Sequence, residues 1–284
     1  ICDIQRVGPS TGLPTRTQQS DILQIAFHSH GDTRFPMVIP CSPDEAFSFS
    51  CQAFDLADKY QTPVVFLSDL DLGMNTWITD PLQEPVNDFD RGKIATDEVL
   101  QRLKNWGRYR DVDGDGIPYR TIPGVTLHPE VAHLTRGSGH DEDANYSESP
   151  EVYSANLDRL ARKIDGMVAD LPEPIREDRD TSLGVIAFGT TDWAVQEALG
   201  GIQSPPSYLR IRSYPFHAEV GSFISDHERI LVIEQNQQGQ MAQLLKINHS
   251  QDAGKIASSR YYGGLPLSAR FVQDSIEEQQ GVEV

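Results

Sequence analysis

The sequence predicts an α/β protein built on doubly wound sheets. Segments with helical spacing alternate with short apolar runs over about the first 70 residues, and the same alternation returns after residue 182. One run, Pro63-Val-Val-Phe-Leu67, is apolar throughout, as expected of a parallel strand that is covered on both faces. A helix–strand–helix–strand order of this kind favours a doubly wound sheet.

Local signals place the elements of the first unit. The opening Ile-Cys-Asp-Ile has the pattern of the end of a buried strand, and because it lacks an initial Met we expect an upstream segment to be missing. Apolar spacing predicts a helix over residues 19–28, capped by Ser20 or Asp21, and a short strand follows over 37–39. Ser42 and Pro43 predict the start of a helix that ends near residue 60. Its predicted apolar face is formed by Ala46, Phe47, Ala53, Phe54 and Ala57.

The middle of the chain interrupts this pattern. Residues 73–150 are rich in Asp, Gly, Pro and Arg, with a short predicted helix near 96–106. A long insertion of this kind is usually functional or packs on a partner. A further helix is predicted over 154–168, and the charged, proline-bearing run over 170–181 predicts a linker.

A second α/β unit follows the predicted linker. Its predicted elements are strands over 183–188, 208–212 and 230–233, a turn over 189–191, and helices over 192–199 and 241–246. The chain therefore divides into the C-terminal part of one α/β domain (1–72), an insertion with its closing helix (73–169), a linker (170–181) and a second α/β domain (182–284).

Composition excludes several classes of protein. The chain has 42 acidic and 24 basic residues and a formal charge of −18, which disfavours nonspecific binding to nucleic acid or to an anionic membrane. No apolar run approaches the roughly 18–20 residues that a membrane span needs. The three cysteines show no Cys-x-x-Cys spacing, so they cannot by themselves build an iron–sulfur or zinc site, and a reducing cytoplasm is expected.

The segment Gln5-Arg-Val-Gly-Pro-Ser-Thr-Gly-Leu-Pro-Thr15 predicts a stiff loop between a strand end and a helix. Glycines allow close approach of backbone to a ligand, and prolines lower the entropy cost of a fixed shape. Arg6 offers a planar fork suited to a carboxylate. A tight turn with capping hydroxyls is the alternative, since such loops are common. No nucleotide-binding glycine motif is present.

Three further motifs admit more than one interpretation. Asp111-Val-Asp-Gly-Asp-Gly116 matches the first half of a calcium loop, but Ile122 stands where the bidentate Glu is needed, so an Asx-turn cluster is favoured over a weak Mg²⁺ or Ca²⁺ site. His140, followed by Asp-Glu-Asp, predicts a solvated surface, with a lid role left open. Gly239-Gln240 either approaches a ligand or starts a helix, and the Glu234 carboxylate in the same loop would repel the phosphates of a ligand.

Longer motifs carry a resemblance to a known family. The segment QRVGPSTGLPTRTQQSDILQ closely resembles a loop of the alpha subunits of 2-oxoacid:ferredoxin oxidoreductases, especially of the 2-oxoglutarate type. The resemblance continues in order through AFDLADKYQTPVVFLSD, DVDGDGIPYRTIPG, TRGSGHDEDANYSESPEVY, NLDRLARKID and VIEQNQQGQMAQLL. It implies an α/β fold with part of a thiamine-diphosphate-binding pyrimidine domain, followed by a transketolase C-terminal-like doubly wound domain.

The resemblance also implies an activity. Enzymes of this family decarboxylate a 2-oxoacid on thiamine diphosphate, pass two electrons singly through iron–sulfur clusters to ferredoxin, and form an acyl-CoA. For 2-oxoglutarate the product is succinyl-CoA. Pyruvate or a branched-chain 2-oxoacid stays open as the substrate, because one arginine binds the carboxylate equally in all of them. A non-catalytic scaffold or regulatory chain of the same fold is the alternative from another class of function.

The resemblance assigns three substrate-binding residues and no catalytic or metal-binding residue to this segment. Arg6 would bind the 2-oxoacid carboxylate, Thr11 would hydrogen-bond the substrate, and Thr15 would line the site. Either threonine could instead cap the following helix. The Tyr-Pro-Ile-Thr-Pro-Ser motif of the family and its activating glutamate, which precede this loop, are not found here.

The implied partners follow from the same resemblance. A beta subunit would carry the thiamine diphosphate–Mg²⁺ site and a [4Fe-4S] cluster, ferredoxin would accept the electrons, and coenzyme A would be the co-substrate. The implied assembly is a cytoplasmic (αβ)2 complex that binds neither nucleic acid nor membrane and is inactive without its beta subunit.

Overall fold

The computed structural model describes residues 1–83, 88–103, 105–124, 128, 131–134 and 137–281. The strands of this part of the chain are β1 (Cys2–Val7), β2 (Leu13–Thr17), β3 (Met37–Val38), β4 (Val65–Asp69), β5 (Ile175–Glu177), β6 (Leu183–Phe188), β7 (Ser207–Ile211), β8 (Ser213–Tyr214), β9 (Arg229–Glu234) and β10 (Ile256–Arg260). The α-helices are α1 (Ile22–Ala26), α2 (Pro43–Tyr60), α3 (Leu70–Met74), α4 (Asp97–Leu103), α5 (Pro150–Met167), α6 (Thr191–Gly201), α7 (Ala218–Asp226), α8 (Gln240–Asn248) and α9 (Ala269–Gln280).

The described strands form two five-stranded sheets, with orders β2-β1-β4-β3-β8 and β10-β9-β6-β7-β5. In the first sheet β1, β4 and β3 are parallel, while β2 and β8 pair antiparallel at its two edges. In the second sheet β10, β9, β6 and β7 are parallel, and β5 is an antiparallel edge. Strand β8 comes from the second half of the chain, so the first sheet is completed by a distant segment.

Three apolar clusters form the core of the described residues. One cluster lies between the two sheets and contains residues from α1, α7 and α8. A second packs the outer face of the second sheet against α6 and α9, and a third packs the outer face of the first sheet against α2 and α5. Because the central cluster draws side chains from both sheets, the two halves of the chain share a core.

Capping residues explain the two longest helices. Ser42 precedes Pro43, and its side chain accepts a hydrogen bond from Glu45 N at 3.3 Å, which begins α2 as predicted. Ser149 does the same before Pro150, so α5 begins four residues earlier than the sequence predicts. In each helix the serine side chain accepts from an N–H group of the first turn that has no partner within the helix, and proline at the first helical position has no N–H group to satisfy.

Several predicted elements are corrected. The first helix is shorter than 19–28, since α1 covers only Ile22–Ala26 and Asp21 makes no side-chain cap. The predicted apolar face of α2 is confirmed for Ala46, Ala53 and Ala57, which pack against the core. It was wrong for Phe54, which is 70% exposed, and it omitted the buried Phe49, Leu56 and Tyr60. The predicted linker 170–181 contains β5, which hydrogen-bonds along β7. Elements that the sequence analysis missed are β2, β5, β8, β10, α3, α7 and α9.

A buried ionic group also joins the two halves. Arg210 on β7 donates to Glu45 Oε1 on α2 at 2.5 Å and to Asp192 Oδ2 on α6 at 3.1 Å. Cys41 Sγ contacts the same guanidinium, and burial raises the pKa of its thiol well above the usual range. No helix among the described residues is long and apolar enough to cross a membrane.

Candidate functional site

The opening motif forms a β-hairpin. Strand β1 ends at Val7, β2 begins at Leu13, and the helix follows only at Ile22. The prediction of a loop that runs directly into a helix was therefore wrong. Gly12 has a φ of +51°, and a Cβ there would lie 2.1 Å from Val7 O, so only glycine fits this turn.

The hairpin forms one wall of an open cleft of about 680 Å³. Arg6 is exposed on β1 and lies in its lining, and it forms no ion pair with any residue that the structure describes. The opposite wall comes from the loop between β9 and α8. The lining includes Gly8, Pro9 and Ser10 from the hairpin and Asn236, Gln237 and Gln238 from the opposite wall.

The two predicted threonines lie outside this lining. Thr11 is exposed in the hairpin turn, and Thr15 is exposed on β2. Because β2 rather than a helix follows the turn, neither threonine caps a helix. The structure thus places Arg6 in the cleft and leaves both hydroxyls at the solvent-facing hairpin.

A buried polar network lies behind the hairpin, where β4 and β6 end. Gln19 Nε2 donates to Asp69 Oδ2 at 2.9 Å, and the Thr190 hydroxyl donates to the same oxygen at 2.7 Å. The Thr191 hydroxyl donates to Gln19 Oε1 at 2.9 Å. Parallel strands end at the usual ligand-binding edge of an α/β sheet. Here the network fixes the position of Gln19, and with it the base of the hairpin.

Gly189 leaves the space beside Gln19 that this hydrogen-bond network needs. Its φ is +55°, and a Cβ at this position would lie 2.9 Å from Gln19 Nε2. Asp69 uses its other oxygen to accept from Asp71 N and Leu72 N, which caps α3. Sequence reasoning missed these residues, although a polar residue directly after an apolar strand is the signal that marks Asp69 and Thr190.

The loop after β9 is tied to the segment before α1. Gln19 N donates to Gln235 O at 2.8 Å, and Asn236 Nδ2 donates to Gln19 O at 3.0 Å. Gln240 Nε2 donates to Ser20 O at 2.6 Å, while Gly239 adopts φ +69° at the start of α8. Of the two alternatives for Gly239-Gln240, the structure supports the start of a helix, with Gln240 holding the neighbouring backbone.

Glu234 is fully buried at the start of the same loop. Its carboxylate accepts from Asn236 Nδ2 at 2.8 Å, Met241 N at 2.9 Å and Ser258 Oγ at 2.8 Å. Burial raises the pKa of this carboxyl above its usual range, although these donors oppose that effect. The carboxylate caps the N-terminus of α8, where helix N–H groups favour negative charge.

The calcium-like motif folds as an Asx-turn cluster. Asp111 accepts from Gly114 N and Gly116 N at 2.9 Å each. Lys93 Nζ lies 2.7 Å from Asp113 Oδ2 and 2.7 Å from Asp115 Oδ2. The favoured interpretation is confirmed, and an ammonium occupies the place of a cation. No group of three or more His, Cys, Asp or Glu side chains suited to a metal ion occurs in the described part of the chain.

His140 does not lie on a solvated surface, so that prediction was wrong. It is 5% exposed and stacks on Tyr109 with ring centroids 3.6 Å apart. Asn156 Nδ2 lies 3.3 Å from its Nε2. Burial lowers the pKa of the imidazole, which favours its neutral form.

Comparisons with known proteins agree with this fold. Residues 1–95 match the family model described as pyruvate flavodoxin/ferredoxin oxidoreductase, thiamine diP-binding. The N-terminal third of the chain thus matches a thiamine diphosphate-binding domain. A solved 2-oxoglutarate:ferredoxin oxidoreductase from Magnetococcus marinus, with 2-oxoglutarate, coenzyme A and succinyl-CoA bound, superposes with a TM-score of 0.86 over 98% of this chain at 25% identity. The predicted α/β fold class is confirmed.

Curated relatives extend the similarity beyond the matched domain. The alpha subunit of 2-oxoacid:ferredoxin oxidoreductase 2 from Aeropyrum pernix is 30% identical over 262 residues, which is 86% of this chain and 38% of the relative. The 2-oxoglutarate synthase subunit KorA from Methanothermobacter thermautotrophicus is 31% identical over 247 residues, which is 83% of this chain and 62% of the relative. The chain spans 48% of the solved Magnetococcus chain. It is therefore similar to a large part of these subunits and shorter than each of them.

Proposed function

We propose that this chain acts as the alpha subunit of a 2-oxoacid:ferredoxin oxidoreductase with 2-oxoglutarate as its preferred substrate. The reaction converts 2-oxoglutarate, coenzyme A and oxidised ferredoxin to succinyl-CoA, CO2 and reduced ferredoxin. Similarity to relatives named as 2-oxoglutarate synthase and 2-oxoglutarate oxidoreductase subunits, and to the solved 2-oxoglutarate enzyme, supports the substrate class.

The unpaired guanidinium of Arg6 is the observation that carries this proposal. It lies in a cleft between the hairpin and the β9–α8 loop, within the residues that match a thiamine-binding family. A guanidinium binds a carboxylate through two parallel hydrogen bonds, and no carboxylate of the described residues occupies that fork. Arg6 would therefore bind the carboxylate of the 2-oxoacid. Thr11 and Thr15 are proposed as hydroxyls beside the substrate on the strength of the resemblance alone.

The cofactors belong to the proposed complex rather than to this chain. Thiamine diphosphate supplies the nucleophilic carbon that decarboxylation of a 2-oxoacid requires. The described residues that line the cleft include two carboxylates, Asp3 and Asp21, and no group of three suited to Mg²⁺. We assign thiamine diphosphate–Mg²⁺ and the [4Fe-4S] cluster to a beta subunit, with ferredoxin as electron acceptor, coenzyme A as co-substrate, and a cytoplasmic (αβ)2 assembly.

The test is reduction of ferredoxin or a viologen by the complex purified with its beta subunit, with coenzyme A, across a panel of 2-oxoacids. We expect kcat/KM to be highest for 2-oxoglutarate. A higher value for pyruvate or a branched-chain 2-oxoacid would refute the substrate, and an iron-containing complex that reduces neither acceptor with any 2-oxoacid would favour the scaffold alternative.

Variants of Arg6 test the site itself. Arg6→Lys keeps the charge and loses the fork, and Arg6→Ala loses both. A charge-assisted hydrogen bond contributes about 1.5–3 kcal/mol, so kcat/KM should fall by roughly ten- to over a hundred-fold for Arg6→Ala. Thiamine content should be unchanged. Arg270→Ala, an exposed arginine on α9, is the control for loss of one positive charge. Loss of thiamine with an unchanged KM would instead make Arg6 a cofactor or structural residue.

A further inference from the structure

A second cavity, of about 170 Å³, lies in the insertion against α5. We call it the α5 pocket. Its walls come from the end of α2, from the irregular chain around residues 108–118, and from one face of α5. The residues that matter here are Tyr60, Arg108, Tyr109, Asn156, Arg159 and Lys163. None of the residues lining the α5 pocket also lines the Arg6 cleft.

Three cations line the α5 pocket without a carboxylate among them. Lys163 is 7% exposed, and its ammonium makes no hydrogen bond or ion pair with any described residue. Arg108 Nη1 is buried with no acceptor in the described part of the chain. Arg159 is 8% exposed and donates to Gly116 O at 3.0 Å and to Asn156 Oδ1 at 2.7 Å, both of them neutral acceptors.

Two acidic residues near the α5 pocket, Asp111 and Asp170, pair with cations outside its lining. Asp111 pairs with Arg162 at 3.1 Å and holds the turn that ends at Gly116. Asp170 pairs with Lys59 at 2.6 Å and accepts from the Tyr60 hydroxyl. The lining of the α5 pocket therefore carries three cations and no carboxylate. The adjoining cavity, which shares Tyr109 and Arg159 with it, is lined by acidic residues: Asp111, Asp141, Glu142, Glu151 and Asp158.

Burying like charges together is costly unless a counter-charge joins them. The cost is visible in the side chains themselves, since burial lowers the pKa of Arg108, Arg159 and Lys163. Repulsion from Arg108 adds to this effect at Arg159, and repulsion from Arg159 and Arg108 adds to it at Lys163. An anion in the cavity would offset this repulsion. A carboxylate carries one charge and two acceptor oxygens, whereas a phosphoryl group carries up to two charges and three acceptor oxygens, which suits three converging cations better.

We propose that the α5 pocket binds a phosphoryl group through Lys163, Arg108 and Arg159. The group is either inorganic phosphate or the phosphoryl end of a larger phosphomonoester. The ammonium of Lys163 and the free Nη1 of Arg108 supply donors that have no acceptor among the described residues, and the pair Tyr109–His140 forms a flat wall beside them. The site is separate from the Arg6 cleft and does not depend on the proposed enzyme activity.

Calorimetric titration of the full chain with sodium phosphate tests this site, with sodium chloride at matched ionic strength as the reference. AMP is titrated in parallel to distinguish the two sources. Tighter binding of inorganic phosphate identifies free phosphate as the ligand, and tighter binding of AMP identifies a phosphomonoester. The proposal would be overturned if neither probe gave binding heat, or protection from thermal unfolding, beyond that of the chloride reference.

Three variants locate the binding. Lys163→Met and Arg108→Gln each remove one cation and should weaken phosphate binding by roughly ten-fold or more. Lys246→Met removes an exposed lysine of α8 and should leave the affinity unchanged. Lys163→Met deletes a buried, unpaired charge and should fold, and Arg108→Gln provides a second route if it does not. Equal affinity in the wild type, Lys163→Met and Arg108→Gln would show that phosphate binds elsewhere and would overturn the assignment.

Discussion

Replacing Lys163 by Met should stabilise the folded chain. Burial, together with repulsion from the neighbouring Arg159 and Arg108, lowers the pKa of this ammonium from 10.5 to about 8. Each tenfold change in proton affinity corresponds to about 1.4 kcal/mol, so the protonated lysine costs the folded state about 3.5 kcal/mol. Methionine has a similar length, needs no counter-charge, and tolerates irregular cavities.

The pH dependence has a definite sign. Below pH 8 the lysine is protonated in both the folded and the unfolded chain, so the full penalty is present. Between about pH 8 and pH 10.5 the folded chain releases this proton while the unfolded chain keeps it, and the penalty is relieved. The groups that face the ammonium are Arg108, Arg159, the Tyr60 hydroxyl and His140. Burial raises the pKa of Tyr60 and lowers that of His140, so both stay neutral through this window.

The assay is urea unfolding followed by tryptophan fluorescence at pH 7, 8.5 and 10.5, in buffers free of phosphate. We expect Lys163→Met to exceed the wild type by about 3 kcal/mol at pH 7, with the difference shrinking towards pH 10.5. Lys246→Met should differ from the wild type by less than about 0.5 kcal/mol at every pH. A Lys163→Met chain that is less stable at pH 7, or a difference that does not change with pH, would refute the reasoning.

Three shorter predictions follow from contacts elsewhere. Gly189→Ala should lower stability by about 1–3 kcal/mol in thermal unfolding, because its φ is +55° and its Cβ would meet Gln19 Nε2; an unchanged Tm would contradict this. Asp69→Asn should cost about 1–3 kcal/mol, since one of its oxygens accepts from both Gln19 and Thr190, and it should raise hydrogen exchange at the N-terminus of α3. Arg210→Met should cost about 3–5 kcal/mol by leaving the buried Asp192 without a cation and Glu45 with Arg212 as its remaining ion-pair partner among the described residues, and a loss below 1 kcal/mol would count against it.

The three inner parallel strands of the second sheet, β6, β7 and β9, could be predicted because their signal is local. Leu183–Phe188 is buried along its whole length, so the apolar run itself shows the strand. The start of α2 was also predicted from Ser42 and Pro43, whereas the same serine–proline signal at Ser149 and Pro150 was overlooked and α5 was predicted to begin at residue 154. Strand β8 could not be predicted, because two residues pair with β3 far upstream in the chain and no local pattern records that pairing.

The opening hairpin was missed for a different reason. Strand β2 is exposed over Leu13–Arg16 and contains Pro14, so it shows neither the apolar alternation nor the propensity of a strand. Its strand pairing is with β1, and Thr17 at its end also donates to Gly264 O at 3.2 Å and accepts from Asp71 N at 3.2 Å. A segment that forms a strand because a neighbouring strand pairs with it is predicted as a loop from its own sequence.

Only the part of the site that depends on a single residue could be predicted from the sequence. Arg6 was named from the sequence, whereas the network behind it joins Gln19 to Asp69, 50 residues away, and to Thr191, 172 residues away. Its members are brought together by the fold. His140 shows the opposite error, because three acidic neighbours suggested a solvated site while the imidazole itself stacks on Tyr109.

Unpaired cations stand out in so acidic a chain, and the structure describes them in two different settings. The exposed guanidinium of Arg6 is stabilised by water and tolerates the lack of a partner, whereas the buried ammonium of Lys163 does not. Because the Arg6 cleft and the α5 pocket share no lining residue, their energetics should be independent. We therefore expect Arg6→Ala to leave the dissociation constant for phosphate within about two-fold of the wild type in the calorimetric titration. A ten-fold weakening by Arg6→Ala would show that phosphate binds in the Arg6 cleft, and the α5 pocket would then have to be abandoned as its site.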